Sequence, residues 1–520
     1  LGKSLIRLES SDGPTLRSAY ARSRATIWLI IAALVIRLVF AGCTGLQVDE
    51  SYMVAAAHRF DASYFDHPLA SWWLELAARA LTGSVAPIVV RLPFVALSGV
   101  TSWLIFLSTR RLFDERAGFW AVVAYTIAPV FSLAGCWVLP DGPADAALAA
   151  FMYALIRALG LPDEKPAPGW WLLAGLFAGL ALDSKYNTSL VIAGAGLGIL
   201  FAPRLRRALL HRHVWLAGLM ALAVVSPVIW WNANHHWISF HYQGRRVAGL
   251  HLRLYMPFYV WGGEALFLLP WVWLPMIAAL IRGLRAGPAQ AGPWILAWAG
   301  LLPVALFATV SLWSSTHILF HWAAPGELML LPLLGRWARD FSPRLRDNMA
   351  RVSGALLAGA MLFIAAEVQF GFIPDIGQLS KPGKSPLLQT IDWTSLAAQI
   401  PPGIDAIAAQ RWYDAGKVGY GLERAGENIP VTVIGGEIHE FLVSAPPKSF
   451  VGENVLVLSM PWNMQQTASF CATFFKTFTP GPVLAVKFHG QVLLAIPTYI
   501  GKDMISPPVP APNSPGITPF

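Results

Sequence analysis

Charged side chains are scarce in this sequence. Asp, Glu, Lys and Arg make up 13% of its 520 residues, while 56% are hydrophobic; a soluble globular chain carries about 25% charged residues. The shortage argues against an ordinary soluble enzyme. Cysteine is rarer still: Cys43, Cys136 and Cys471 are the whole set. No two of them have metal-ligand spacing, and an odd number excludes complete disulfide pairing within one chain. A Cys43–Cys136 bridge stays open, beside the plainer reading of inert apolar thiols. There is no internal repeat and no nucleotide-binding fingerprint. The Gly-rich run 194–198 lies inside an apolar stretch and reads as helix packing. The first long apolar run lacks a small-x-small site before Asp49, so it is expected to remain as an anchor.

What is abundant is apolar sequence in runs of roughly 18–22 residues, long enough to cross hydrocarbon. The pattern predicts a mainly α, polytopic membrane protein with about 11 spans. These cover about 26–46, 85–108, 117–136, 144–160, 169–182, 188–202, 214–231, 255–281, 293–313, 314–334 and 352–370. The runs at 169–182 and 188–202 are shorter than the roughly 20 residues an untilted span needs. They are expected to be thin or re-entrant, with the polar turn Asp183–Asn187 at a protein-lined cavity. Residues 68–82 read as an amphipathic helix lying at the interface.

The net charge of +9 does not point to nucleic acid, because the basic residues gather in short loops: Arg110–Arg116, Arg204–Arg212, Arg282–Arg285 and Arg336–Arg351. That is the positive-inside pattern. It places the basic tail 1–25 in the cytoplasm and the acidic loop after the first span outside. Arg245, Arg246 and Arg253 break the pattern on an outer loop, as an anion-binding cluster or a headgroup anchor would. From about 373 to 505, Gly and Pro punctuate β-like runs at 431–434, 454–458, 483–488 and 491–496, with a helical pattern at 393–400. This predicts a small soluble α/β domain on the outer face. Residues 506–520 form a Pro-rich tail, and residues 26–372 form the membrane domain.

The first outer loop carries Val48-Asp49-Glu50-Ser51-Tyr52 and Tyr64-Phe65-Asp66-His67-Pro68-Leu69. Ionisable groups so close to hydrocarbon need partners or a task. The topology brings Asp141, Lys185, Arg245, Arg246, His317 and His321 to the same face. Carboxylates there can serve as general bases, and cations can hold a phosphate. Each has a plainer alternative: a solvated loop acid at Asp49, a helix cap at Asp141, a snorkelling lysine at Lys185, an aromatic belt around His321.

In order along the chain, Asp49-Glu50-x-Tyr52, Tyr64-x-Asp66-His67-Pro68-Leu69, Leu139-Pro140-Asp141-Gly142-Pro143, Ser184-Lys185-Tyr186-Asn187 and His321-Trp322-x-x-Pro325-Gly326 resemble motifs of polyprenyl-phosphate-dependent GT-C glycosyltransferases. The bacterial branch of the protein-mannosyltransferase superfamily is the nearest likeness, with the lipid A aminoarabinose transferases and rhizobial galacturonosyltransferases within it. The resemblance covers about residues 25–370. It implies an inverting transfer of a sugar from a polyprenyl-phosphate donor to a lipid, glycan or protein hydroxyl, at the periplasmic face of a bacterial inner membrane.

By that resemblance Asp49 is the catalytic base and Asp141 a second essential acid. Glu50, Tyr52, Asp66, His67, Lys185, Tyr186, Arg245, Arg246, His317 and His321 would bind substrate, with Glu50 and His67 as candidate ligands of a divalent metal. The chain departs from the pattern in one place. Relatives commonly carry Lys or Arg ahead of the His-Trp-x-x-Pro box, and here Ser314-Ser315-Thr316-His317 stands there. Either His317 takes the cationic part or Arg245 and Arg246 do. The competing class is a lipid-linked sugar transporter or flippase. Such a protein places its polar residues near the bilayer midplane, often with repeat symmetry, whereas here they gather at one face.

Overall fold

A computed structural model describes residues 13–249, 251–314, 318–373, 385–462 and 469–505. His317 and the Pro-rich tail therefore lie outside the described residues. Helix α1 (Gly13–Cys43) carries the first span, Arg22–Cys43. It leads to two short helices, α2 (Val48–Ala56) and α3 (Ala70–Thr82), before α4 (Pro87–Leu112) returns through the bundle. The stretch 117–136, read from sequence as one span, is divided into α5 (Glu115–Ile127) and α6 (Pro129–Ala134). Pro129 disfavours helical geometry at Ala128 and cannot donate to the ladder there.

Helix α7 (Asp141–Leu159) is the best-enclosed span, with 89% of its apolar window buried. It packs against α4 and α8 (Trp170–Leu182). Then follow α9 (Thr188–Leu200), α10 (Arg212–Asn234) and a short α11 (Ile238–Arg246). The expected single span 255–281 is a sharply bent pair. Helices α12 (Met256–Leu268) and α13 (Pro270–Ala286) meet at 114°, with Leu269 in the left-handed region at φ 71° and Pro270 opening the second helix. Then come α14 (Ala291–Val310), a 3-10 turn at Phe320–Ala323, α15 (Ala324–Ala338) and α16 (Pro343–Phe370).

All the apolar runs read from sequence are helical among the described residues. Among the described residues six helices are individually long and apolar enough to cross a membrane, or seven counting the bent pair as one. The chain is a multi-pass membrane protein. Its cysteines are free thiols, and the Cys136 Sγ donates to the Ser132 carbonyl (3.2 Å). Close helix packing uses glycine. A Cβ on Gly175 of α8 would meet the Ala217 carbonyl of α10 at 2.2 Å, and one on Gly194 of α9 the Trp298 carbonyl of α14 at 2.4 Å.

Beyond α16 the chain forms α17 (Leu387–Thr390), a 3-10 turn at Thr394–Gln399, β1 (Ala406–Arg411), α18 (Trp412–Arg424), β2 (Val431–Glu437), α19 (Phe441–Ser444) and β3 (Val455–Leu458). Strands β4 (Phe475–Pro480), β5 (Leu484–Phe488), β6 (Gln491–Ile496) and β7 (Thr498–Met504) follow. The main sheet runs β2-β1-β3-β7-β4. Its first three strands are parallel, β7 is antiparallel to β3 and β4, and β5–β6 is a separate hairpin.

This domain packs on the segment that joins α1 to α4. Gly45 N–H donates to the Thr390 carbonyl (2.7 Å) and Leu46 N–H to Asp392 Oδ1 (3.0 Å). The buried Lys417 Nζ donates to the carbonyls of Leu46 and Ile391, each at 2.7 Å. A Cβ on Gly416 would lie 2.5 Å from the Tyr52 backbone, so α18 approaches α2 this closely only with glycine at the crossing.

Candidate active site

At the end of the bundle nearest this domain is a cavity of about 500 Å³. Its lining is rich in polar residues: Asp49, His67, Asp141, Lys185, Arg246 and His321, with Gln47, Tyr186, Asn187 and Gln243. The lining also holds apolar side chains, from α6 (Val130, Leu133), α12 (Phe267), α14 (Leu306, Phe307) and Phe320. A cavity half ionic and half greasy suits a ligand with a charged head and a hydrocarbon tail.

Asp49 stands in the first turn of α2, with Gln47 as its N-cap residue. It is exposed, and what it is exposed to is the cavity. Protein closes it in otherwise, and that burial pushes its carboxyl up to about 6. The negative charges of Glu50 and Asp66 push the same way, while a hydrogen bond from the Gln47 side chain and the charge of His439 oppose them. A carboxylate that titrates near neutrality is matched to accepting a proton and releasing it.

Its neighbour Glu50 points the other way. Arg91 of α4 donates to both of its oxygens, Nε to Oε1 at 2.8 Å and Nη2 to Oε2 at 2.6 Å, and both side chains are buried. The backbone N–H groups of Gln47 (3.0 Å) and Val138 (2.9 Å) donate to the same carboxylate. The rest of the guanidinium is bonded to the end of α1, at Ala41, Thr44 and Gly45. One buried pair thus fixes α2, which presents Asp49, and the strap around Val138, which leads to Asp141.

Asp141 opens α7 and accepts from Lys185 Nζ at 2.8 Å. Lys185 is presented by the turn between α8 and α9, and that turn is tied down by Asn187 Nδ2 donating to the Trp322 carbonyl (2.8 Å). The Arg246 guanidinium lies 4.5 Å over the Trp322 ring and 5.3 Å over the Tyr242 ring. Two histidines complete the polar lining. Burial brings His67 and His321 down to about 4, with the cations Lys185 and Arg246 adding to the effect. Both are neutral near pH 7, able to donate or accept hydrogen bonds.

Of the residues singled out in the sequence, Asp49, Asp141, His67, Lys185, Tyr186, Arg246 and His321 therefore share one cavity. Glu50, Tyr52, Asp66 and Arg245 do not line it. Tyr52 and Asp66 are hydrogen-bonded to each other and buried under the C-terminal domain. The pairing of Glu50 with His67 as metal ligands does not fit, because Arg91 and two backbone groups occupy both Glu50 oxygens. Among the described residues no three His, Cys, Asp or Glu side chains gather as a metal site. Sequence reasoning missed Gln47, Gln243, Arg91 and the apolar lining. Arg91 had a visible signal: an arginine inside an apolar span is costly without a buried partner.

This architecture, a helical bundle with its polar site at one end under a small mixed-sheet domain, is the GT-C membrane fold. The chain superposes on ArnT from Cupriavidus metallidurans with TM-score 0.62, over 92% of this chain and 98% of that one, at 15% identity. The same protein bound to undecaprenyl phosphate gives TM-score 0.61 over 91% and 97%. Residues 66–231 match the family model for dolichyl-phosphate-mannose-protein mannosyltransferase, which bears out the resemblance read from the motifs. Among curated proteins, the lipid A galacturonosyltransferase RgtD of Rhizobium johnstonii is 25% identical over 51% of this chain and 55% of its own length. The undecaprenyl phosphate-alpha-4-amino-4-deoxy-L-arabinose arabinosyl transferase 1 of Sodalis glossinidius is 28% identical over 56% and 52%. The chain spans about half the length of these curated relatives.

Proposed function

We propose that this protein is an inverting glycosyltransferase that moves a sugar from a polyprenyl-phosphate donor to a hydroxyl of a lipid, glycan or protein acceptor. The observation that carries the reading is the one cavity whose lining combines Asp49, with its carboxyl near 6, and the cations Lys185 and Arg246 with apolar side chains. In the reaction the acceptor oxygen attacks the anomeric carbon while its proton passes to Asp49. The bond from that carbon to the phosphate oxygen breaks on the opposite face, and the electron pair leaves on polyprenyl phosphate. A phosphate leaving group needs charge stabilisation more than protonation. Arg246 supplies it with Lys185, whose charge is shared with Asp141. Asp141 orients Lys185 and the acceptor. The hydrocarbon tail lies along Leu133, Phe267 and Phe307. The names of the relatives support a lipid A or lipopolysaccharide acceptor and an undecaprenyl carrier.

The fold supports the orientation. Helix α4 starts beside the site and ends at Arg110 and Arg111, and 26 residues of helix span about 39 Å. At that far end Arg111 pairs with Glu164, and Arg339 with Asp114, so the arginine-rich loops gather on one face. That face is the cytoplasmic side of a bacterial inner membrane, and the cavity and C-terminal domain face the periplasm. Polar groups at one end rather than at midplane favour an enzyme over a flippase.

Binding of undecaprenyl phosphate to the purified full chain tests the donor site. Arg246→Ala is expected to weaken it by about tenfold or more, as loss of a charge-assisted hydrogen bond does, while Asp49→Asn leaves it near wild type. Equal binding by wild type and Arg246→Ala would contradict the assignment of the phosphate end.

A further inference from the structure

The C-terminal domain meets the segment that carries Asp49 and His67 through a buried ring of polar contacts. His439, two residues after β2, places Nδ1 2.6 Å from Asp66 Oδ1, an ion-pair distance. The other Asp66 oxygen accepts from the Tyr52 hydroxyl. That hydroxyl oxygen accepts from the Glu440 N–H (2.8 Å), and Glu440 Oε2 accepts from the Phe65 N–H (2.7 Å), which returns the ring to Asp66. Tyr52, Asp66, His439 and Glu440 are all buried. The His439 ring is enclosed by aromatic rings from both domains, with centroids at 5.0 Å (Trp412), 5.2 Å (Tyr242), 5.6 Å (Phe65) and 6.2 Å (Tyr52). Its backbone takes φ 54°, a left-handed conformation that a residue with a Cβ adopts at a cost. The fold accepts that cost at the point where the domain meets the loop.

The members of this ring are near neighbours in sequence of residues that line the cavity. Tyr52 is one helical turn after Asp49 on α2. Asp66 immediately precedes His67. The Asp66 carbonyl accepts from Gln243 Nε2 (2.7 Å) on α11, one turn before Arg246. Base, neutral histidine and phosphate-facing arginine sit on separate pieces of chain, and these bonds hold the pieces together.

We propose that His439 is a positioning residue for the transfer reaction: bound to Asp66, it lets the C-terminal domain set the placement of Asp49, His67 and Arg246. The proposal rests on the glycosyltransferase reading for its catalytic consequence, but not for its structural one. It makes the domain a working part of the active site, whichever acceptor is used. Aspartate accepts from an asparagine amide as well, so His439→Asn keeps an N–H beside Asp66 and His439→Ala removes it.

The test uses the full chain in nanodiscs, measuring amide hydrogen exchange, together with product formation in complemented cells. His439→Ala is expected to speed exchange in residues 48–67 and 238–246 while β1 and β3 stay protected. It is expected to lower product by about 10²-fold, the cost of a small misplacement of reacting groups. His439→Asn is expected to restore both. Wild-type exchange in both segments of His439→Ala, or full activity of that variant, overturns the proposal. If β1 and β3 also lose protection in His439→Ala, Tyr52→Phe decides by the same two readouts, since it breaks the ring from the membrane-domain side. An Asp49→Asn protein that remains fully active would refute the glycosyltransferase reading and leave the exchange result standing.

Discussion

Asp49 and Glu50 are consecutive, chemically alike and opposite in fate. One faces the cavity with its carboxyl near 6, and the other is locked beneath it by Arg91 and two backbone donors. Sequence reading placed both in the site, because adjacency to a span says that a carboxylate needs a partner but not which one it finds. That information sits 41 residues away on α4, in an arginine whose place inside an apolar helix was the clue. The same blindness applies to Asp66, whose partner His439 belongs to another domain. The titration of Asp49 yields a prediction. In its proposed role as base Asp49 acts as carboxylate, so activity should hold above about pH 6 and fall by about tenfold per unit below it. A pH–rate profile of membranes turning over their native donor checks this. An acid limb at the ordinary carboxylate value, near 4, would mean that Asp49 is not the group that titrates.

At the scale of elements, the apolar runs located the helices, and the cavity-forming features lay in how those helices are interrupted. Run lengths alone separated the short pair α8 and α9 from full spans, and their connecting turn does carry Lys185, Tyr186 and Asn187 into the cavity. The breaks at Ala128 and Leu269 were readable in principle, since each precedes a proline. They were lost because hydrophobicity continues across them without a dip. Those breaks release α6 and α12 to supply apolar side chains to the cavity lining. The glycine run in α9 makes a sharp contrast for experiment. A side chain at Gly194 would collide with the α14 backbone, whereas one at Gly196 meets nothing within 4 Å. Gly194→Val is expected to destabilise the bundle by about 1–3 kcal/mol, as overpacking does, and Gly196→Ala to be near neutral. Thermal unfolding of the detergent-solubilised variants measures both. Equal melting would remove α9–α14 contact as the reason for the glycine.

For the whole molecule, the sequence distinguished a membrane body from a small C-terminal α/β domain but not how the two join. β2, β3, β5 and β6 were visible as short apolar runs bounded by Gly and Pro. β1, β4, β7 and α18 were not: Ala406–Arg411 is too Ala-rich to signal a strand. The helical pattern at 393–400 is a 3-10 helix, Thr394–Gln399. The join depends on Lys417, Asp392, His439 and Glu440, scattered polar residues whose partners lie in the segment that joins α1 to α4. Contacts between residues several hundred positions apart leave no local pattern to read. The account that results is of one active site assembled from membrane helices, that segment and a docked domain around Asp49. Its most direct test is mass spectrometry of lipid A, polysaccharide and glycoproteins from a deletion strain complemented with wild type or with Asp49→Asn. The account predicts a sugar that is present with wild type and missing both from the deletion and from Asp49→Asn, although the variant protein accumulates normally in the membrane. Full restoration of that sugar by Asp49→Asn, or envelope glycans unchanged by the deletion, would contradict it.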